Sequence, residues 1–149
     1  MPDPFDLQRF VDAQAPVYDA VVRELKGGEK RSHWMWFVFP QIAGLGVSPT
    51  SVFFAISSLD EAKAYLAHPI LGPRLVECAG LALAAKDRTA RQIFGPVDEA
   101  KFRSSMTLFS RAAPGAAAFA QCLDAFFAGE PDPATLAKLG GRGQSSSSS

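Results

Sequence analysis

The chain is poor in the residues that metal and redox chemistry use, with two cysteines and two histidines among 149 residues. No CxxC or HExxH spacing occurs, and His33, His68, Cys78 and Cys122 are scattered. A zinc or haem site is therefore not expected, and no cofactor is implied. Glycine-rich phosphate loops of the GxxxxGK[ST] or GxGxxG kind are missing, as is a nucleophile elbow. Excess charge is missing too: 15 basic residues balance 15 acidic ones. Without a global field, neither nucleic acid nor an anionic membrane is an expected partner. The opening "MPDPFDLQRF" puts acidic residues where a signal peptide needs basic ones, so a cytoplasmic location is expected. Cys78 and Cys122 lie in apolar, alanine-rich surroundings and read as two buried thiols, with a disulfide between them as the alternative.

One absence invites a wrong conclusion. Between His33 and Leu59 there is no Asp, Glu, Lys or Arg, which superficially resembles a membrane span. Pro40, Gln41, Gly44, Gly46, Ser48, Pro49, Thr50 and Ser51 interrupt the stretch, and its longest strictly apolar run is residues 34–39. A span needs about 20 apolar residues, so this is a core segment of a soluble domain.

What remains is helical signal. Asp3 is placed to cap a first helix with Pro4 in its first turn, and Leu7, Phe10 and Val11 share a face. Pro16 breaks that helix. Val17, Val21 and Leu25 then recur at helical spacing until Gly27 and Gly28 stop the run. "SLDE" at 58–61 reads as a capping box, opening a helix that ends near His68 and Pro69. His68 there suits a helix C-terminus. Leu71, Leu75, Cys78 and Ala82 mark a longer helix reaching about Ala85. Thr89 starts a short helix ending at Gly95-Pro96, and Asp98 caps the next, with Phe102, Met106 and Phe109 as its buried stripe. Phe119, Leu123 and Phe126 or Phe127 define another after Pro114-Gly115; Asp132 and Pro133 begin a last one that stops at Gly140-Gly141. "MWFVF" at 35–39 is read as a helix capped by Ser32, although periodicity leaves a strand open there. The expectation is an all-α, compact, single-domain bundle of about seven to nine short helices over residues 1–140, and a disordered low-complexity tail at 141–149.

Two stretches concentrate chemistry. In "RSHWMWFVFPQIAGLG", His33 is a candidate acid, base or hydrogen-bond donor, and Ser32 and Gln41 supply neutral polar groups. Trp34 and Trp36 are two residues apart, so on a helix they point about 200° from each other and only one faces a given cavity. In "DEAKFRSSMTLF", Lys101 shares a face with Ser104 and Ser105, and Arg103 lies beside them. Two cations and two hydroxyls suit a phosphate or carboxylate, and a lysine can activate a neighbouring serine.

The strings "KRSHWMWFVFPQIAGLG", "YLAHPILGPRL", "IFGPVDEAKFRSSMTLF" and "PDPATLAKL" together resemble the family catalogued as domain of unknown function 1810, over about residues 4–139. The resemblance implies a small, mostly bacterial, all-helical domain with no settled activity. Its motifs fall on Ser32, His33, Trp34, Trp36, Pro40 and Gln41, then on Asp98, Lys101, Ser104 and Ser105. Members often carry the label calpastatin. Calpastatins are disordered protease inhibitors, and a chain this rich in apolar periodicity is not one. Looser suggestions place such domains near ADP-ribose or NAD metabolism, which implies a ligand class and no mechanism.

Two functional expectations follow. In the first, segment 33–41 meets the helix bearing Lys101, Arg103, Ser104 and Ser105 across a cleft that takes a phosphate-bearing small molecule, a nucleotide or an ADP-ribose derivative. His33 and Lys101 are then the catalytic candidates; Ser32, Trp34, Trp36, Gln41, Arg103, Ser104 and Ser105 bind the ligand. In the second, the domain is a non-catalytic binding or interaction module whose motif residues are structural. An exposed aromatic patch that mediates protein association is a third alternative.

Overall fold

A computed structural model describes residues 3–140, and the expected tail at 141–149 lies outside the described residues. The order is α1 (Gln8–Gln14), α2 (Tyr18–Lys26), α3 (Met35–Val38), α4 (Pro49–Phe53), α5 (Leu59–Ala67), α6 (Leu71–Ala84), α7 (Ala90–Ala112), α8 (Ala117–Phe127) and α9 (Pro133–Gly140). No strand forms among the described residues. A single parallel bridge joins Ile42 to Ile56, with Ala43 N–H donating to the Ile56 carbonyl and Ile56 N–H to that of Gln41, both at 2.8 Å. "MWFVF" is thus helical over one turn.

Apolar spacing dictates the packing. The long α7 contributes Phe102, Met106, Leu108 and Phe109 to the core and lies against α5, α8 and α9. Helix α6 turns Leu71, Leu75, Cys78, Ala79 and Ala82 inward against α2, α5 and α8. Cys78 and Cys122 are both free and buried. Burial pushes each thiol up to about 12, so neither is a thiolate at neutral pH. Among the described residues no helix is long and apolar enough to cross a membrane.

Local chemistry departs from the sequence reading at several helix ends. The Asp3 carboxylate accepts from Leu7 and Gln8, so it prepares the first turn while α1 itself starts at Gln8. Ser32 does not cap α3; Trp34 occupies that position without a side-chain cap bond. Ser58 does accept from Glu61 N–H, but the Glu61 carboxylate reaches back one residue further, to the amide and hydroxyl of Ser57. Its other oxygen takes Arg9, and that guanidinium also donates to the carbonyls of Phe5, Asp6, Phe53 and Ala55. His68 ends α5, yet its Nδ1 accepts from the amides of Ile70 and Leu71 and so caps the start of α6. The imidazole thus serves the start of the next helix rather than the end of its own. The two helices expected on either side of Gly95-Pro96 are there as the two arms of α7, parted by Gly95, whose φ of +87° and ψ of 163° are not helical. Asp98 does not cap the second arm and turns to two lysines instead.

The α5–α6 corner is closed by a glycine. A Cβ on Gly72 would lie 2.1 Å from the Leu66 carbonyl oxygen, a backbone atom that cannot move aside. On the same helix, a Cβ on exposed Gly80 would meet nothing within 4 Å. Gly72→Ala is expected to destabilise the fold by at least about 2 kcal/mol. Gly80→Ala is expected to stabilise it by about 0.5–1 kcal/mol through helix propensity. Urea denaturation of the two variants measures both, and equal effects would contradict the packing described.

Candidate functional site

The site lies where α3 meets the kink in α7. Phe94 and Phe102, on either side of the kink, stack with centroids 4.4 Å apart. Phe39, just past α3, stands edge-on to both, at 5.9 Å and 4.9 Å. The three rings lock α3 against both arms of α7. Gly95 turns the backbone through a conformation that side-chain-bearing residues rarely adopt, and the cavity left there holds about 400 Å³. Lys30, His33, Met35, Trp36, Phe94, Asp98 and Lys101 line it together with residues 95–97.

A carboxylate on α2 positions the chain leading into this wall. Glu24 Oε1 accepts from Arg31 N–H at 2.7 Å, Ser32 N–H at 3.0 Å and Trp34 Nε1 at 2.9 Å; Oε2 accepts from the Ser32 hydroxyl at 2.6 Å. Burial is the largest single influence on this carboxyl and opposes its charge. The bonds from the Ser32 hydroxyl, Arg31, Trp34 and the Ser32 amide together outweigh burial and hold it at about 2, against an ordinary 4.5. With its N–H bonded to Glu24, Trp34 sinks into the core, only 1% exposed. Trp36 is half-buried and lines the cavity. Of the two indoles, only Trp36 lines this cavity.

The charges at the cavity are uneven. Asp98 faces two lysines, with Oδ2 2.9 Å from Lys30 Nζ and Oδ1 3.3 Å from Lys101 Nζ. Two ammonium groups against one carboxylate leave one unit of positive charge. Lys30 is fixed: its side chain is 8% exposed, its N–H donates to the Ile93 carbonyl, and its ammonium lies 5.2 Å from the Trp34 ring. Lys101 is more open, and its Nζ sits 3.6 Å from the centroid of the Trp36 ring.

The remaining candidates divide. His33 is exposed at the rim, and no hydrogen bond orients its imidazole among the described residues. Ser32 is bound to Glu24. Gln41 lines a second cavity, of about 210 Å³, which it shares with Trp36. Arg103 turns to the opposite side of α7 and donates to the carbonyls of Glu130 and Pro131. Ser104 is buried against Thr135, 2.6 Å between hydroxyl oxygens. Ser105 is fully buried, and its hydroxyl has no partner among the described residues. The structure therefore brings His33, Trp36 and Lys101 together, adds Lys30 and Asp98, and separates Arg103, Ser104 and Ser105 from them. Glu24, Lys30 and Phe94 were not singled out from the sequence. Lys30 had a local signal, standing directly before the "RSHW" string; Glu24 had none. Among the described residues, no cluster of His, Cys, Asp or Glu is placed to hold a metal ion.

A small all-helical domain with an indole-walled, net-positive cavity at a helix kink is the class these features define. The chain belongs to the DUF1810 family of proteins of unknown function, whose model matches residues 4–139. A crystal structure of similar fold is that of the conserved hypothetical protein Rv1873 from Mycobacterium tuberculosis, solved at 1.38 Å. It is 56% identical, with a TM-score of 0.91, and the match covers 92% of this chain and 98% of that one. No functionally curated protein matches the chain.

The depressed Glu24 carboxyl carries a pH signature. A group held below its ordinary value stabilises the fold above pH 4.5, and that contribution is lost as pH falls toward 2. Glu24→Gln is expected to cost about 2 kcal/mol at pH 7, the scale of hydrogen bonds to a charged group. The gap between variant and wild type in urea unfolding is expected to shrink below pH 4.5. A gap that is the same at both ends of that range would contradict the role given to the charge.

Proposed function

We propose that the cavity between α3 and the α7 kink binds the anionic group of a small molecule, a phosphate ester being the chemistry that fits best. The observation that carries this reading is the imbalance of two lysines over one carboxylate, with the less buried ammonium resting on the Trp36 ring. Lys101 is shared between Asp98 and the Trp36 ring, and an arriving anion competes with both for it. A cation on an aromatic face gains about 0.5–2 kcal/mol. A charge-assisted hydrogen bond to a phosphate contributes on the order of 1.5–3 kcal/mol, so an arriving anion outcompetes the ring. Lys30, held by Asp98 and nearly buried, supplies a fixed positive background. Met35 and Phe94 provide apolar contact for the body of the ligand. A nucleotide or an ADP-ribose-like molecule belongs to this class.

The reading stops at binding. His33 lines the cavity and is the candidate proton donor or acceptor if a reaction occurs, with Lys101 as the group that stabilises negative charge. The rival reading, in which motif residues are structural, is favoured at particular positions: Ser32 and Trp34 by their bonds to Glu24, Arg103 by its two carbonyls, and Ser104 by Thr135. These residues are removed from the proposed contact set.

A thermal-shift screen with inorganic phosphate, sugar phosphates and nucleotides tests the reading. A compound near 100 times its dissociation constant is expected to add about 2.7 kcal/mol of stability. Lys101→Ala, an exchange on a partly exposed helix face, is expected to remain folded and to lose the shift. Absence of any shift across the phosphate compounds, or an undiminished shift in Lys101→Ala, would refute it.

A further inference from the structure

Trp36 belongs to two cavities. Its indole forms part of the cation-lined cavity at the kink and part of the smaller one enclosed by residues 41–55. The bridge between Ile42 and Ile56 ties the two ends of that loop together, and Arg9 reinforces the Ile56 end through the carbonyls of Phe53 and Ala55. The smaller cavity is therefore framed by backbone that is tied down at both ends.

Its lining is mainly apolar, with Leu45, Val52, Phe54 and Ala55 around the indole. Two half-buried polar groups stand out against them. Neither the Trp36 indole N–H nor the Gln41 side-chain amide has a hydrogen-bond partner among the described residues. An aromatic wall, an apolar surround and two solvent-accessible groups offering donors and an acceptor suit a planar nitrogen heterocycle. A purely hydrocarbon ligand would leave the Gln41 amide unsatisfied.

We infer that the small cavity is a second subsite that takes the heterocyclic ring of the same ligand whose phosphate rests on Lys101, with Trp36 as the wall shared by both subsites and Gln41 reading the ring edge. The substrate class is then a phosphorylated planar heterocycle of mononucleotide size. This inference rests on the anion-binding reading above and adds to it a ring subsite. Ala55, which lines the small cavity only, provides a way to fill it. Its carbonyl bond to Arg9 involves the backbone and survives a side-chain exchange.

Isothermal titration with inorganic phosphate, adenosine and adenosine 5′-monophosphate separates the two subsites. The monophosphate is expected to bind at least about tenfold more tightly than phosphate, as one or two added polar and stacking contacts allow. Ala55→Leu is expected to reduce the monophosphate to the affinity of phosphate and leave phosphate binding unchanged. Gln41→Ala, which adds no bulk, is expected to weaken the monophosphate alone. Lys101→Ala is expected to weaken both anions. Phosphate binding that depends on Lys101 but gains nothing from the added ring would overturn the ring subsite and leave the anion site standing. A monophosphate that binds Ala55→Leu and Gln41→Ala as tightly as wild type would overturn it too. Loss of all binding in the wild type would overturn both.

Discussion

The Glu24 carboxylate is the constraint on which the site depends. One side chain on α2 holds four donors from residues 31, 32 and 34, so a segment without regular structure is fixed as firmly as a helix end. Taking the Trp34 indole N–H has a further effect. It allows that ring to be buried without an unsatisfied donor, and burial of Trp34 sets the rotation of the short helix that follows. Trp36, two residues on, is then directed outward. An apolar residue at position 24 would leave three backbone or indole donors and a hydroxyl to find water, and α3 would lose its rotational setting.

The kink in α7 supplies the opposite wall. The positive φ of Gly95 diverts the chain there, while the Phe94–Phe102 stack keeps the two arms joined. Lys30, Asp98 and Lys101 gather at this bend. A partly buried pair such as Lys30 with Asp98 adds little to stability, since desolvation offsets most of the attraction. Its structural consequence is to fix where the surplus positive charge sits. Lys101 then rests between Asp98 and an aromatic face that adds only a weak hold.

The fold was largely legible because it is written in periodicities and caps that act locally. Leu71, Leu75, Cys78 and Ala82 recur at helical spacing, and Thr89 with Gln92 forms a complete capping box. The errors came where a cap residue had a stronger distant partner. Ser32 is drawn to Glu24, and Asp98 to Lys30, 68 positions earlier in the chain. The spacing of Trp34 and Trp36 admitted only one of them to the cavity, as the structure has it. Helix geometry also placed Ser104 and Ser105 beside Lys101, which is true along the helix, but Ser104 faces Thr135 of α9 and Ser105 faces the core. A helical wheel gives relative angles; which angle meets solvent depends on neighbours that sequence spacing does not name. Glu24 escaped notice for the same reason, because a charged residue beside an apolar stripe reads as an ordinary solvated flank.

The central claim is that Glu24 and the Gly95 kink present Trp36 and Lys101 as an anion-binding pair. Proton–nitrogen correlation spectra recorded during titration with inorganic phosphate test it most directly, because the two indole resonances report separately. The account predicts that the Trp36 indole and the amides of residues 95–101 shift together and saturate, while the Trp34 indole, bonded to Glu24, stays in place. A saturable shift confined to other parts of the molecule, or no saturable shift at all, would contradict it.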